Sequence, residues 1–464
     1  MLAARETTSS PSVVKTSLLF ALAVVQTGCA DPHSTHDADG EVTWHEHIAP
    51  LVERACLECH QVDGVATLRL DTWEAAHSVA PWMAAEVIAG DMPPWGVEET
   101  EACSSPGSWR GDLRLAEAER ELFVAWAEGG APEGSPFSTT SGDALRGTAE
   151  GDLLAPDAAW SLAASGPDTF RCLVLDPGLV EDGWIRGLEV LPDARSALHH
   201  VLVLSAPESV ADLLDTLAAE GGGTFDCAPS SPAFPELQTL TQWAPGASSF
   251  ELPGDTGLVM PAGSRFVLQL HYHPTGEAVE DATALRVRWH DAPPEREGTV
   301  RLLGNAVVAP QLQPGPSDPA EGPVFLVPAG VSDHLETMVL GPFSFPDDGV
   351  RIFGVAPHMH YAGAGQRISI LGGGGEERCL AEVPRYDFEW QRWYAWEPSS
   401  GLPSMASGES LVLRCRYDNT LANESLRRGL AAAGLDEPFD MTLGPTSLHE
   451  MCVALVGMSR LRAP

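Results

Sequence analysis

Hydrophobic and polar residues recur with two different periods along the chain, and the change falls near residue 150. Between residues 43 and 132, apolar positions return every three or four residues, as in "HIAPLVERACLECH" and "LAEAERELFVAWAEGGAP". This spacing puts the apolar side chains on one face of a helix. The glycine pair after the second stretch predicts the end of that helix. We therefore predict a small all-α domain over residues 43–132.

Beyond residue 150, short runs alternate between apolar and polar residues, with glycine and proline between them. The runs are "HHVLVL", "SRFVLQLHY", "ALRVRWH", "VRIFGVAPHMHY", "QRISIL", "ESLVLRCRY" and "CVALVGM". Alternation of this kind predicts strands, and turn signals at this spacing are typical of β-sandwiches. Because the region is too long for one sandwich, we predict two, over residues 151–310 and 325–464. Residues 133–150 have the composition of a linker.

The first thirty residues predict export. Two basic residues, Arg5 and Lys15, precede the apolar run "LLFALAVV", which is too short to span a membrane. "QTGC" ends at Cys29 and resembles a bacterial lipoprotein processing site, so that a lipidated Cys29 would anchor the protein to a membrane. Conventional cleavage nearby is the alternative. Residues 31–42 are polar and acidic and predict a tether. The expected location is periplasmic or at the bacterial cell surface.

Composition excludes two classes of function. Acidic residues outnumber basic ones by 65 to 27, so a nucleic-acid partner is not expected. Lys15 is the single lysine, which excludes lysine-based covalent catalysis in the exported protein. Export also places the other cysteines in an oxidising compartment, where disulfides and covalently attached haem are chemically reasonable.

"CLECH", from Cys56 to His60, matches the attachment sequence of c-type cytochromes. In that motif two thiols, here those of Cys56 and Cys59, bond the haem vinyl groups, and the histidine ligates the iron. We predict one covalently bound haem c, with Met92 of "GDMPPW" as the opposite ligand and Met83 and His77 as the alternatives. The stretch resembles small cytochrome c domains fused to bacterial oxidases. A redox dithiol and half of a zinc site are the alternatives.

Histidines occur in pairs in the β region. "ALHHVLV" contains His199 and His200, "LQLHYHPTG" contains His271 and His273, and "PHMHYAG" contains His358 and His360. Imidazole sets, with or without a thioether, suit copper. Zinc is the main rival, although the tight His-Glu-x-x-His motif is absent. Adjacent residues of a regular strand face opposite ways. His199 and His200 can therefore share an ion only if the backbone bends or they use different ring nitrogens.

The order of these motifs carries a family resemblance. His-His, Gln-x-His-Tyr, His-x-His and Glu-Met-Cys follow one another in residues 160–460. This order resembles the copper type II, ascorbate-dependent monooxygenases, the family of the peptidylglycine α-hydroxylating and dopamine β-type enzymes. The resemblance implies two jelly-roll-like sandwiches that hold one copper each. The complete fold prediction is thus a multidomain chain, with a small all-α cytochrome c domain followed by two all-β jelly-roll-like sandwich domains.

The resemblance also implies the ligands. An electron-entry copper would be bound by His199, His200 and His271. An oxygen-activating, catalytic copper would be bound by His358, His360 and Met451. The resemblance further implies a disulfide between Cys415 and Cys452, beside Met451. The pairing of the remaining cysteines, Cys103, Cys172, Cys227 and Cys379, stays open, because four cysteines allow three connectivities.

The chain departs from the peptide-hydroxylating enzyme at the groups that hold the peptide carboxylate. Ala356, Val453 and Leu455 occupy those places. We therefore expect a small, neutral or apolar substrate, which O2 hydroxylates at a C–H bond with electrons from an external donor relayed by the haem. A non-catalytic copper and haem electron-transfer protein is one alternative, and a zinc hydrolase is another. His273 and His449 lie beside ligands. We expect them to be surface residues, and a role in orienting the ligands is the alternative.

Overall fold

Strands dominate the computed structural model. It describes residues 40–462 except 63, 137–149, 167, 228–235, 248, 306–309, 316–317, 346–348 and 445. The prediction of a lipidated Cys29, the signal segment and nearly all of the tether lie outside the described residues. Residues Val42–Pro464 form one compact unit. Among the described residues, no helix is both long and apolar enough to cross a membrane.

The helices gather in the first part of the described chain. A π-helix at Trp44–Ile48 leads into α1, and a 3₁₀-helix lies at Pro398–Ser400. The α-helices are α1 (Ala49–Ala55), α2 (Trp73–Ser78), α3 (Ala80–Ala89), α4 (Glu117–Glu128), α5 (Glu208–Glu220) and α6 (Glu424–Ala432). As the sequence predicts, α4 ends just before the glycine pair and buries an apolar face that includes Phe123 and Trp126.

The strands occupy the rest of the described chain. They are β1 (Asp152–Leu154), β2 (Trp160–Leu162), β3 (Thr169–Leu175), β4 (Gly183–Leu191), β5 (Leu198–Ala206), β6 (Thr224–Asp226), β7 (Gln238–Trp243), β8 (Phe250–Glu251), β9 (Thr256–Met260), β10 (Arg265–Tyr272), β11 (Val279–Asp281), β12 (Ala284–Trp289), β13 (Arg296–Gly304), β14 (Leu326–Val327), β15 (His334–Leu340), β16 (Val350–His358), β17 (Gly363–Leu371), β18 (Glu377–Val383), β19 (Tyr394–Ala395), β20 (Ser404–Met405), β21 (Ser410–Tyr417), β22 (Met441–Thr442) and β23 (Val453–Leu461). All seven strand predictions are confirmed, although β16 ends at His358 rather than continuing to Tyr361.

Two sandwiches share one large sheet. That sheet has the order β1-β12-β4-β9-β13-β23-β16-β19, with β8 and β20 attached at its sides. A five-stranded sheet, β6-β3-β10-β5-β7, packs on its first half and forms the N-terminal sandwich. A four-stranded sheet, β15-β21-β17-β18, packs on its second half and forms the C-terminal sandwich. The last strand, β23, pairs with both β13 and β16, so the two sandwiches are continuous through it.

Residues 43–132 do not form a closed all-α domain, which corrects the fold prediction. The helices bury a core of their own around Trp126 and Phe123. The stretch between α3 and α4, however, extends over the C-terminal sandwich, where Val97 and Trp109 join that sandwich's core. The physical reason is that these apolar side chains are buried by the C-terminal sandwich rather than by the helices. Trp109 packs against Tyr394 and Trp396.

Three disulfides connect the described cysteines apart from Cys56 and Cys59. Cys415 pairs with Cys452, as the resemblance implies, and the open pairing resolves as Cys103–Cys379 and Cys172–Cys227. Cys103–Cys379 ties the stretch between α3 and α4 to strand β18 of the C-terminal sandwich. Three disulfides are consistent with a secreted or extracellular protein.

Candidate metal centres

Three histidines of the N-terminal sandwich converge on one point. His199 and His200 lie on β5 and His271 lies on β10. Their Nδ1 atoms are 3.1 Å apart between His199 and His200, and 3.2 Å apart in both pairs with His271. We call this set the three-histidine cluster.

A bulge allows adjacent residues to face the same point. In the pairing of β5 with β10, His200 lies opposite His271 but Leu198 lies opposite Tyr272, so His199 is an extra residue in its strand. The extra residue turns the local backbone and brings His199 to the side of His200. Of the two routes that the sequence left open, the structure uses the bend, because both residues present Nδ1.

Carboxylates hold the far nitrogens of two cluster residues. His199 Nε2 lies 2.8 Å from Glu389 Oε2, and His271 Nε2 lies 3.0 Å from Asp168 Oδ2. A neutral imidazole carries one N–H, and a carboxylate can only accept, so Nε2 is the protonated nitrogen in both rings. Their Nδ1 lone pairs then point at each other. Such an arrangement is repulsive without a cation and is suited to hold one.

Burial favours the neutral form of His200 and His271. It lowers the pKa of His271 to about 4, with the hydrogen bond to Asp168 opposing that shift. Burial and the neighbouring imidazoles, His358 of the other sandwich among them, lower the pKa of His200 well below its usual range. Neutral imidazole is the form that ligates metals. Nitrogens about 2 Å from a common ion would be separated by roughly 3.3–3.5 Å, so the observed spacing fits one ion.

His273 is a structural partner of the cluster rather than a plain surface residue, so the expectation for it was wrong. Its Nδ1 lies 2.7 Å from Asp168 Oδ1, and its ring centroid lies 4.3 Å from that of His199. Burial alone would raise the pKa of Asp168, but hydrogen bonds from His271 and His273 hold it well below its usual range. Asp168 therefore remains charged and fixes both rings.

The second set lies on the C-terminal sandwich and presents the opposite nitrogens. His358 is the last residue of β16, and His360 follows two residues later, with the two rings nearly perpendicular and their centroids 5.3 Å apart. His358 Nδ1 lies 2.8 Å from Gln391 Oε1, and His360 Nδ1 lies 3.1 Å from the carbonyl oxygen of His449. Both acceptors occupy Nδ1, which leaves Nε2 of each ring for a ligand. We call this set the His358–His360 pair.

Glu450 joins Met451 to the His358–His360 pair. Its Oε2 accepts the backbone N–H of His360 at 3.0 Å and that of Met451 at 3.1 Å, while Oε1 accepts that of Ala362 at 2.7 Å. Burial raises the pKa of Glu450 to about 8, and the three donors oppose that shift. The hydroxyl of Tyr417 also donates to the Met451 carbonyl at 2.8 Å. Met359, between the histidines, is instead fully buried in the hydrophobic core.

A loop of the C-terminal sandwich contacts both histidine sets. We call residues 387–393, "DFEWQRW", the bridging segment. It supplies Glu389 to His199 and Gln391 to His358. The sequence prediction missed Glu389, Gln391 and Asp168 because nothing in their local pattern marks them.

The predicted haem residues belong to two stretches, the cysteine motif and the loop that carries Met92. Cys56 and Cys59 carry free thiols, and burial raises their pKa to about 12 and about 11. His60 Nδ1 lies 2.7 Å from the carbonyl oxygen of Leu68, which leaves its Nε2 available. Met92 follows α3 and lines a cavity of about 450 Å³, beside Trp95 and Arg392. The cysteine motif lies outside the lining of that cavity.

The three residues that the resemblance aligns with carboxylate-binding groups are apolar and lie on paired strands. Ala356 lies opposite Leu455, and His358 lies opposite Val453, in the pairing of β16 with β23. Ala356, Val453 and Leu455 are all buried, so no charged or polar side chain stands at these three positions.

Sequence comparisons agree with the geometry of the C-terminal sandwich. Residues 338–457 match the family model described as "Copper type II ascorbate-dependent monooxygenase, C-terminal domain". This stretch contains the His358–His360 pair, Met451 and the Cys415–Cys452 disulfide.

Animal proteins are similar over a longer stretch. DBH-like monooxygenase protein 1 of Homo sapiens is 29% identical over 252 residues, which cover 51% of this chain and 37% of that protein. Its Mus musculus counterpart is 30% identical, over 48% of this chain and 35% of that protein. MOXD1 homolog 1 of Drosophila melanogaster is 21% identical, over 70% of this chain and 45% of that protein. The chain thus spans just over a third of the length of the two DBH-like relatives. The comparisons support the copper type II monooxygenase family and an oxidoreductase of the monooxygenase type.

Proposed function

We propose that this protein is an exported, copper-dependent monooxygenase that hydroxylates a C–H bond of a small, neutral or apolar substrate with O2. The observation that carries the proposal is the pair of histidine sets, which present opposite ring nitrogens from adjoining sandwiches. His199, His200 and His271 would hold one copper through Nδ1. His358 and His360 would hold a second through Nε2, with the thioether of Met451.

The donor sets suit copper better than zinc. The ring nitrogens that face the candidate ions belong to buried or partly buried histidines. The one sulfur donor in the proposed ligand sets is a thioether, a soft ligand that favours reduced copper. Bound copper would supply one-electron redox chemistry and O2 activation. The chain's own residues orient the imidazoles, and Ala356, Val453 and Leu455 are buried and apolar, which suits an uncharged substrate.

We propose further that Cys56, Cys59 and His60 hold a haem c that carries electrons from an external donor. Both thiols are free while the other described cysteines are paired. Reactive redox thiols have a lowered pKa, whereas burial raises that of Cys56 and Cys59, which argues against a redox dithiol. The hydrogen bond from His60 Nδ1 to a backbone carbonyl is the usual way to orient a metal-ligating histidine. Met92 remains the proposed opposite ligand.

Export, a periplasmic or cell-surface location and anchoring through a lipidated Cys29 complete the proposal. Metal and haem analysis of the purified protein tests it at once. We expect two coppers and one haem per chain, with the haem lost in a Cys56→Ser/Cys59→Ser variant and both coppers retained. Zinc in place of copper would favour the hydrolase alternative.

Oxygen uptake separates an enzyme from a non-catalytic electron-transfer protein. Uptake is measured with a panel of small apolar substrates and a chemical reductant, for the wild-type protein and for Met451→Ile. We expect substrate-dependent uptake and hydroxylated product only in the wild type. Equal uptake by the two proteins would refute the enzymatic proposal and leave the electron-transfer alternative.

A further inference from the structure

The bridging segment belongs to one sandwich and holds a histidine of the other. It connects β18 to β19, which both belong to the C-terminal sandwich. From there, Glu389 reaches His199 of the N-terminal sandwich at 2.8 Å, while Gln391 holds His358 of its own sandwich at 2.8 Å. Two residues of one short loop therefore fix ring nitrogens in both candidate metal centres.

The segment is held in this geometry by bonds of its own. Asp387 Oδ1 accepts the backbone N–H of Glu389 at 2.9 Å, and Gln391 Nε2 donates to the Phe388 carbonyl at 3.0 Å. The Phe388 ring lies between the two centres, with its centroid 6.0 Å from that of His199 and 6.3 Å from that of His360. A shift of the segment would therefore change the orientation of histidine rings in both sets.

The two carboxylates of the three-histidine cluster differ in origin. Asp168 directly precedes β3, so it holds His271 from within the N-terminal sandwich. Glu389 holds His199 from the opposite sandwich. A metal ion on Nδ1 draws electron density from the ring and makes Nε2–H a stronger donor. Metal binding at the cluster therefore strengthens a contact between sandwiches at His199 but only an internal contact at His271.

We propose that Glu389 is a positioning residue that couples metal binding at the three-histidine cluster to the contact between the bridging segment and the N-terminal sandwich. The proposal rests on the copper sites of the proposed function, but it concerns metal binding and conformation rather than turnover. Because coupling is reciprocal, loss of the Glu389 contact weakens metal binding at the cluster, and loss of the metal weakens the contact.

Four variants separate this role from a merely local one. Glu389→Ala removes the contact between sandwiches. Glu389→Gln keeps an oxygen that accepts from Nε2. Asp168→Ala removes the equivalent contact inside one sandwich. Glu397→Ala is the control, because this partly exposed carboxylate lies 3.8 Å from Arg110 and has no contact with either histidine set.

Cuprous ion alone is the probe. Its affinity is measured by competition with a chromophoric chelator, and backbone hydrogen exchange of residues 387–393 is measured by mass spectrometry with and without copper. In the wild type and in Glu397→Ala, copper should slow exchange in the bridging segment. Glu389→Ala should weaken binding at the cluster about 10- to 100-fold and reduce that slowing. Glu389→Gln should restore most of both effects, whereas Asp168→Ala should weaken binding by a similar factor and keep the slowing at saturating copper.

Two results would overturn the coupling. One is an unchanged affinity in Glu389→Ala, and the other is exchange in the bridging segment that copper slows equally in the wild type and in Glu389→Ala. Failure of the wild-type protein to bind any copper would instead refute the proposed function, so the two failures are distinguishable.

Discussion

The three-histidine cluster and the His358–His360 pair each direct their imidazoles at a candidate metal position of their own. The cluster does so through Nδ1 and the pair through Nε2. In the cluster, charged carboxylates hold Nε2 of two rings and Nδ1 faces the centre. In the pair, an amide and a backbone carbonyl hold Nδ1 and Nε2 is left free. The group on the far nitrogen thus decides which nitrogen is offered.

The charge of that group distinguishes the sites further. A carboxylate acceptor increases the basicity of the imidazole it holds, and a neutral acceptor does so less. The cluster should therefore stabilise oxidised copper more strongly than the pair does. The pair has its own buried carboxylate, Glu450, but that group holds backbone N–H groups rather than imidazoles.

Removal of one ligand at each centre should give the largest effect and tests whether the centres are independent. We expect His271→Ala and His360→Ala each to lower the copper content from two ions to one and to reduce product formation by more than about 100-fold, because losing a ligand costs more than losing its hydrogen-bond partner. Metal analysis and oxygen uptake measure this. Loss of both coppers from either variant would contradict two separate sites.

The Cys415–Cys452 disulfide should support the pair and not the cluster. It closes a sequence separation of 37 residues beside Met451, so Cys415→Ala/Cys452→Ala should lower the free energy of unfolding by about 3–4 kcal/mol. Chelator competition should show weaker copper binding at the pair. The matched variant Cys172→Ala/Cys227→Ala, across 55 residues, should lose similar stability but keep the copper at the pair. Equal copper loss in the two variants would show a general effect of unfolding.

Glu450→Gln tests the backbone role of the carboxylate at the pair. Glutamine replaces one acceptor oxygen by an NH2 group, which would face a backbone N–H in a fully buried place. We expect a loss of about 2–3 kcal/mol in urea unfolding, from donors left without partners. Glu437→Gln, at an exposed position, should change nothing. An unchanged stability in Glu450→Gln would mean that these donors find other acceptors.

Gln391→Glu gives the pair a carboxylate like those of the cluster and should have the smallest effect. We expect the preference for oxidised over reduced copper at the pair to rise about tenfold, equivalent to about 59 mV in reduction potential. The change also removes the donor to the Phe388 carbonyl, so Gln391→Ala, which loses the same donor without adding charge, is the control. Redox titration by electron paramagnetic resonance measures the shift. An equal shift in both variants would show that charge is not its cause.

The strands and their histidines could be predicted because both depend on local sequence patterns, namely apolar–polar alternation and paired histidines. His199, His200, His271, His358 and His360 lie in or directly after runs whose alternation is clear. The bulge at His199 could not be predicted, because it depends on the register between β5 and β10, which are separated by some sixty residues. Asp168, Glu389 and Gln391 were missed for the same reason, since their role arises from distant residues that tertiary packing brings to the histidines.

The all-α prediction failed in part for a similar cause. Helical periodicity correctly located α1 and α4. The sequence did not indicate which surface the apolar residues between α3 and α4 pack against. Trp109 finds Trp396, at a ring-centroid distance of 4.7 Å, only once the C-terminal sandwich exists. From sequence alone, a segment that packs against a different domain cannot be distinguished from one that packs within the domain that contains it.

Strand β23 sets an order on the assembly of the whole molecule. It follows every other strand of the described chain, yet it fills the place between β13 and β16 on which both cores depend. During synthesis from the N-terminus, neither sandwich can complete its large sheet until residues 453–461 have emerged. The large sheet is therefore completed late, and Met451 and Cys452, just ahead of β23, reach their places together with that strand.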